Sequence, residues 1–95
     1  MPFLAKIVLH SKSGYRVELD GLVRKFIEDK VKFVGVVGVS SSQIEDIIDE
    51  LCIGDGSTPY FLLTSSHEGE TVSEAVAFAE SLTGEYSGAV QVVEF

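Results

Sequence analysis

Four short apolar runs begin at even intervals, near Leu4, Lys32, Tyr60 and Gly88. Each is separated from the next by a connection of about twenty residues. That is far longer than a hairpin turn, and long enough for a parallel crossover carrying a helix. The runs Leu4–Leu9, Lys32–Val39 and Tyr60–Leu63 are almost wholly apolar, interrupted mainly by Lys6, Gly35 and Gly38. Apolar side chains on both parities describe strands covered on both faces. The last run, Ala89–Phe95, carries Gln91 and Glu94 and suits an edge.

The connections have the other period. Leu19, Leu22, Val23, Phe26 and Ile27 fall at helical spacing, with Asp20 as an N-cap and a helix expected to about Lys30. Tyr15–Leu19 also alternates, so a short strand competes with the start of that helix. Ile44, Ile47, Ile48 and Leu51 form the clearest stripe, opposite the acidic Glu45, Asp46, Asp49 and Glu50. Burying four such side chains contributes about 6–12 kcal/mol before entropy is subtracted. Val72, Ala75, Val76, Ala79 and Leu82 make the third stripe. Capping boxes are expected at Ser42/Glu45 and Thr71/Glu74, and Gly84 suits a left-handed helix end.

Strand, helix, strand, helix, strand, helix, strand predicts an α/β protein. Residues 1–95 make a single three-layer domain, with a four-stranded, mainly parallel sheet and three helices in a flavodoxin-like winding. The order 2-1-3-4 is favoured, with 3-2-1-4 as the alternative. Gly35 and Gly38 predict close backbone approach or a weakened strand inside the second run.

The 95 residues carry 15 acidic and 7 basic groups, a net charge of −8. Such a field repels phosphate backbones, so no nucleic-acid partner is expected. No run is long enough to cross a membrane, and the start Met-Pro-Phe-Leu-Ala-Lys lacks the form of a secretion signal. A single cysteine, Cys52, excludes an intrachain disulfide; it ends the second helical stripe and is expected to be a buried thiol. A cytoplasmic location follows as an expectation.

Ligands of doubly wound sheets sit beyond the carboxyl ends of the strands, where the winding reverses. In the 2-1-3-4 order that point lies between strands 1 and 3. The candidate pocket is therefore His10, Ser11, Lys12 and Ser13 from one loop, with Ser65, Ser66, His67 and Glu68 from the other. The chain's only two histidines are in this set. A divalent metal held by His10 and His67 with Glu68, Glu70 or Asp20 is one possibility, although no spaced ligand motif supports it. Proton or phosphoryl transfer beside Ser11, Ser13, Ser65 or Ser66 is another. A pocket without chemistry is a third, and ordinary loop and cap residues are the plainest account. Neither nucleotide-binding glycine pattern is present, and no motif specifies a cofactor or a metal.

The winding is similar to that of receiver domains and of the cysteine-phosphorylated sugar-transport subunits. The residues carry neither identity. Strand 1 ends in His10-Ser11-Lys12 instead of an acidic cluster or a cysteine, and Cys52 lies elsewhere. The expected function is a binding or protein-interaction module, with a protein partner or small ligand and with homo-oligomers allowed. Exposed Tyr15, Tyr86 and Phe95 would mark such a surface. The alternative is a small enzyme, metal-dependent or transferring a proton or phosphoryl group, that uses His10 and His67 at the carboxyl edge of the sheet.

Overall fold

The computed structural model describes residues 2–95. Its elements are β1 (Lys6–Ser11), α1 (Glu18–Glu28), β2 (Phe33–Gly38), α2 (Ser41–Ile53), β3 (Leu63–His67), α3 (Val72–Glu80), a 3₁₀ turn over Gly84–Tyr86, and β4 (Val90–Glu94). All three strand pairings are parallel, and the order is β3-β2-β1-β4.

This order fixes the layers. The steps β1 to β2 and β2 to β3 run in one direction, so right-handed crossovers put α1 and α2 on the same face. The step from β3 back to β4 reverses and puts α3 on the other face. The two cores agree. Ile7, Leu9, Val34 and Val36 pack with Leu19, Val23, Phe26, Ile44 and Ile48 from α1 and α2. Val8, Phe33 and Val37 pack with Ala75 and Ala79 from α3.

The favoured order 2-1-3-4 is thus corrected to 3-2-1-4. The physical cause lies in the third strand. Tyr60–Leu63 was expected to be that strand, covered on both faces and hence central. The strand is Leu63–His67 instead, the mostly polar sequence Leu-Thr-Ser-Ser-His. Leu63 is exposed and its next three residues are only partly covered. A strand like that belongs at an edge. β1 and β2, almost entirely buried, take the two central places. Tyr60 precedes β3 and turns inward, its hydroxyl donating to the Val31 carbonyl, while Phe61 faces outward.

Several local expectations meet their physical limits here. Tyr15–Val17 forms no strand, and α1 begins at Glu18 with Val17, not Asp20, at its N-cap. The Ser42/Glu45 capping box does not form. The N-cap of α2 is Ser40, in a left-handed conformation and without a side-chain cap. Ser42 meets Ser66 and Glu45 meets Thr64, so β3 competes successfully for both side chains. The Thr71/Glu74 box does form, with contacts of 3.1 and 2.8 Å. Gly84 has a positive φ of 67° but opens the 3₁₀ turn instead of ending α3. Phe95 is buried, not exposed.

Lys6 is 1% exposed, and its Nζ donates to the Ala79 carbonyl at 2.7 Å. That carbonyl, which also accepts from the Leu82 amide, lies in the last turn of α3, where the helix dipole favours a cation. The one charge in the first apolar run is therefore a strut between β1 and α3.

Candidate functional site

In the order 3-2-1-4 the winding reverses between β1 and β4, not between β1 and β3. The carboxyl corner between those two strands is occupied by the chain's own side chains. His10 Nδ1 meets Glu94 Oε2 at 2.9 Å, and Lys12 Nζ meets Glu94 Oε1 at 2.8 Å. Both hold the Glu94 carboxyl below its ordinary range, Lys12 more than His10. Arg16 donates to the Phe95 carbonyl and lies over the Phe95 ring, 4.4 Å from its centroid. Ser11 is buried, and its hydroxyl accepts from the Gly14 amide; Ser13 is exposed.

His67 stands two strands away. His10 and His67 are both in register with Val37, one from each side. All three side chains face α3, but two strand spacings separate the histidine Cα atoms by about 10 Å. Val37, 1% exposed, lies between them. The eight predicted residues therefore split. His10, Ser11, Lys12 and Ser13 belong to the β1 corner. Ser65, Ser66, His67 and Glu68 belong to the β3 edge, where Glu68 is exposed. Among the described residues no group of three or more His, Cys, Asp or Glu is placed to hold a metal ion.

At the β3 edge, Ser65 and His67 share a face because strand side chains alternate. Ser65 Oγ lies 2.7 Å from His67 Nε2, and His67 Nδ1 lies 3.2 Å from Glu70 Oε1. The imidazole is 5% exposed and packs edge-on against Phe78, with centroids 5.1 Å apart. Gly35 is the β2 partner of Ser65. A Cβ on Gly35 would come within 3.1 Å of the Phe33 ring and 3.3 Å of His67 Nε2. The bare glycine is what lets both rings lie over β2. On the other face of β3, Thr64 Oγ1 lies 2.8 Å from Asp49 and 3.1 Å from Glu45. Part of the expected acidic face of α2 is thus turned onto the sheet.

A groove of about 430 Å³ opens at the other end of this edge, lined by Lys30, Lys32, Tyr60, Phe61, Glu85 and Tyr86. A smaller one, about 220 Å³, continues along Leu62 and Leu63 and shares Phe61 and Tyr86. Phe61 is 90% exposed. A hydrogen bond to Glu85 raises the Tyr86 phenol above its ordinary pKa. Beneath, burial raises the Cys52 thiol, with Asp49 adding to it, and burial likewise raises Tyr60. Cys52 is therefore a core thiol and not a poised thiolate. Sequence reasoning missed Phe61 as a surface residue, and missed Glu94 and Glu70 as the histidine partners. The Ser-x-His spacing of Ser65 and His67 would have shown their common face had the strand been continued through Thr64.

The fold is that of a small parallel α/β domain with one half-open edge. Residues 1–93 match the family described as Domain of unknown function (DUF7684), and the chain belongs to it. Comparison with curated proteins gives no match, nor does comparison with solved structures.

Proposed function

We propose that the protein is an interaction module that takes an extended segment of a partner protein along the free edge of β3. The exposed Phe61 ring carries this reading. A large aromatic side chain open to water beside a groove is the usual anchor of a protein contact. Three further features support it. Among the described residues the outer side of β3 has no strand neighbour, so its outward amides and carbonyls are free to pair with an added strand. Leu63, Phe78 and Tyr86 extend the apolar surface. The groove carries Lys30 and Lys32 against Glu85 alone, in a chain of net charge −8. A local positive rim on an acidic protein selects a partner segment bearing carboxylates between apolar side chains, and disfavours a second copy.

The test is fluorescence anisotropy with a labelled peptide of alternating Val and Glu, against the same peptide with Lys replacing Glu. The Glu peptide binds, and Phe61→Ser weakens it about 30-fold, the ~2 kcal/mol of an aromatic anchor. Equal binding of both peptides, or binding indifferent to Phe61, defeats the proposal. Concentration-dependent dimers abolished by Phe61→Ser would assign the edge to a second copy instead.

A further inference from the structure

We infer that Ser65, His67 and Glu70 form a nucleophile–base–carboxylate relay able to accept an acyl or phosphonyl group on Ser65. This goes beyond the interaction surface: the reacting groups Ser65, His67 and Glu70 are not used there, although Leu63, Phe78 and the outward amides of β3 border both.

The proton positions follow from the donors available. An ionised carboxylate only accepts, so the contact between His67 Nδ1 and Glu70 requires the proton on Nδ1. In the neutral imidazole Nε2 is then the acceptor, and the Ser65 hydroxyl donates to it across 2.7 Å. Hydroxyl, imidazole and carboxylate therefore stand in the order in which a general base activates an alcohol and a third group orients the base. The imidazole is held in place by burial, by the Phe78 ring and by the space over Gly35. Ser65 is partly open to solvent, beside the exposed Leu63 and Phe78. Those two offer an apolar seat for the acyl chain or aryl group of a small ester.

The residue after the nucleophile supplies a donor. Leu63 N–H donates to the Lys32 carbonyl, so by the alternation of a parallel ladder the amides of Thr64 and Ser66 point off the free edge. The Ser66 amide is thus available to an oxyanion formed at Ser65. With an ester, the Ser65 oxygen bonds to the carbonyl carbon and its proton passes to His67 Nε2. The carbon–oxygen bond to the leaving alcohol then breaks, and the alcohol departs with that proton. Water repeats the sequence to release the acid and restore Ser65.

The test uses an alkyl fluorophosphonate on the intact chain, read by whole-protein mass and peptide mapping. The Ser65–phosphorus bond forms, the phosphorus–fluorine bond breaks, and the hydroxyl proton leaves through His67. Wild type gains one phosphonyl group on the peptide bearing Ser65. Ser65→Ala gains none. His67→Gln reacts about 100-fold more slowly or worse, the lower end of what a positioned base contributes. Glu70→Gln, at an exposed position that leaves the core intact, reacts at least about tenfold more slowly, because a neutral amide no longer stabilises the imidazolium that forms. Hydrolysis of p-nitrophenyl acetate follows the same ranking. Absence of an adduct, an adduct that persists in Ser65→Ala, or a Glu70→Gln variant that labels at the wild-type rate overturns the assignment. A purely structural hydrogen-bond chain would shift melting temperature in these variants without any labelling to lose.

Discussion

The two histidines occupy matching places on either side of Val37, yet their surroundings differ in kind. His10 lies on a central strand at the reversal of the winding, where a doubly wound fold usually leaves a crevice. Here that corner is occupied by two sets of contacts, Glu94 with His10 and Lys12, and Arg16 with Phe95. His67 lies on an edge strand, where the fold supplies no neighbour on one side. Its imidazole is more deeply buried than that of His10, but the serine it contacts faces an open edge. The rule that places sites at the switch point thus identifies the corner that is filled. The open surface arises from the polar, unpartnered third strand.

The largest expected effect would break both regions together. Gly38 is paired with Ser11 and has a φ of 105°. A Cβ there would lie 2.2 Å from the Ser11 carbonyl oxygen, which is backbone and cannot swing aside. Gly38→Ala should therefore cost about 3 kcal/mol or more, from the clash and the unfavourable φ together. In a domain of this size that lowers Tm by more than about 10 °C. A loss below about 1 kcal/mol by chemical denaturation would show that β1 and β2 are spaced more widely than described.

Gly35→Ala separates the regions. The added methyl presses on the Phe33 and His67 rings, both buried, so about 1–2 kcal/mol of stability should be lost. Ser65 labelling should fall with it, because His67 Nε2 is the atom displaced. The His10–Glu94 contact, two strands from His67, should keep its NMR chemical shifts. Equal disturbance of both imidazoles would mean that the row His10–Val37–His67 behaves as one unit. Phe61→Ser isolates the groove further. It should leave stability within about 0.5 kcal/mol, since the ring is in water already, while removing peptide binding.

These contrasts also explain what the sequence could reveal. The central strands and the helices were legible because burial imposes a period: Ile7 and Leu9 on one face and Val8 on the other, Ile44 and Ile48 one turn apart. The third strand was misplaced because an edge relaxes that demand. Thr64, Ser65 and Ser66 need not be apolar, and the stronger apolar signal comes from Tyr60–Leu63, whose character has two separate causes. Tyr60 plugs the base of the sheet and Phe61 faces water. A central β3 would make the two histidine loops neighbours; an edge β3 keeps them two strands apart. The Ser42 cap failed for a related reason. Local sequence offers Ser42 to its own helix, and only the position of Ser66 on β3 reveals the competing partner.

The smallest expected effect concerns the filled corner. Glu94 has its pKa lowered first by Lys12 and then by His10, so the folded protein favours the ionised carboxylate. A depressed carboxyl contributes stability that is present above its ordinary pKa and lost as pH falls through the folded value. The window therefore lies below 4.5, the ordinary value for this group. The carboxylate and Lys12 are both exposed, so screening keeps the contribution small and salt-dependent. Glu94→Gln should melt on the order of a degree below wild type near neutrality in low salt. The two curves should converge as acid protonates the wild-type carboxyl, and also in high salt at neutral pH. A difference that survives both acid and salt would show that Glu94 acts through packing beside Phe95. In that case the corner is closed by its shape and not by its charges.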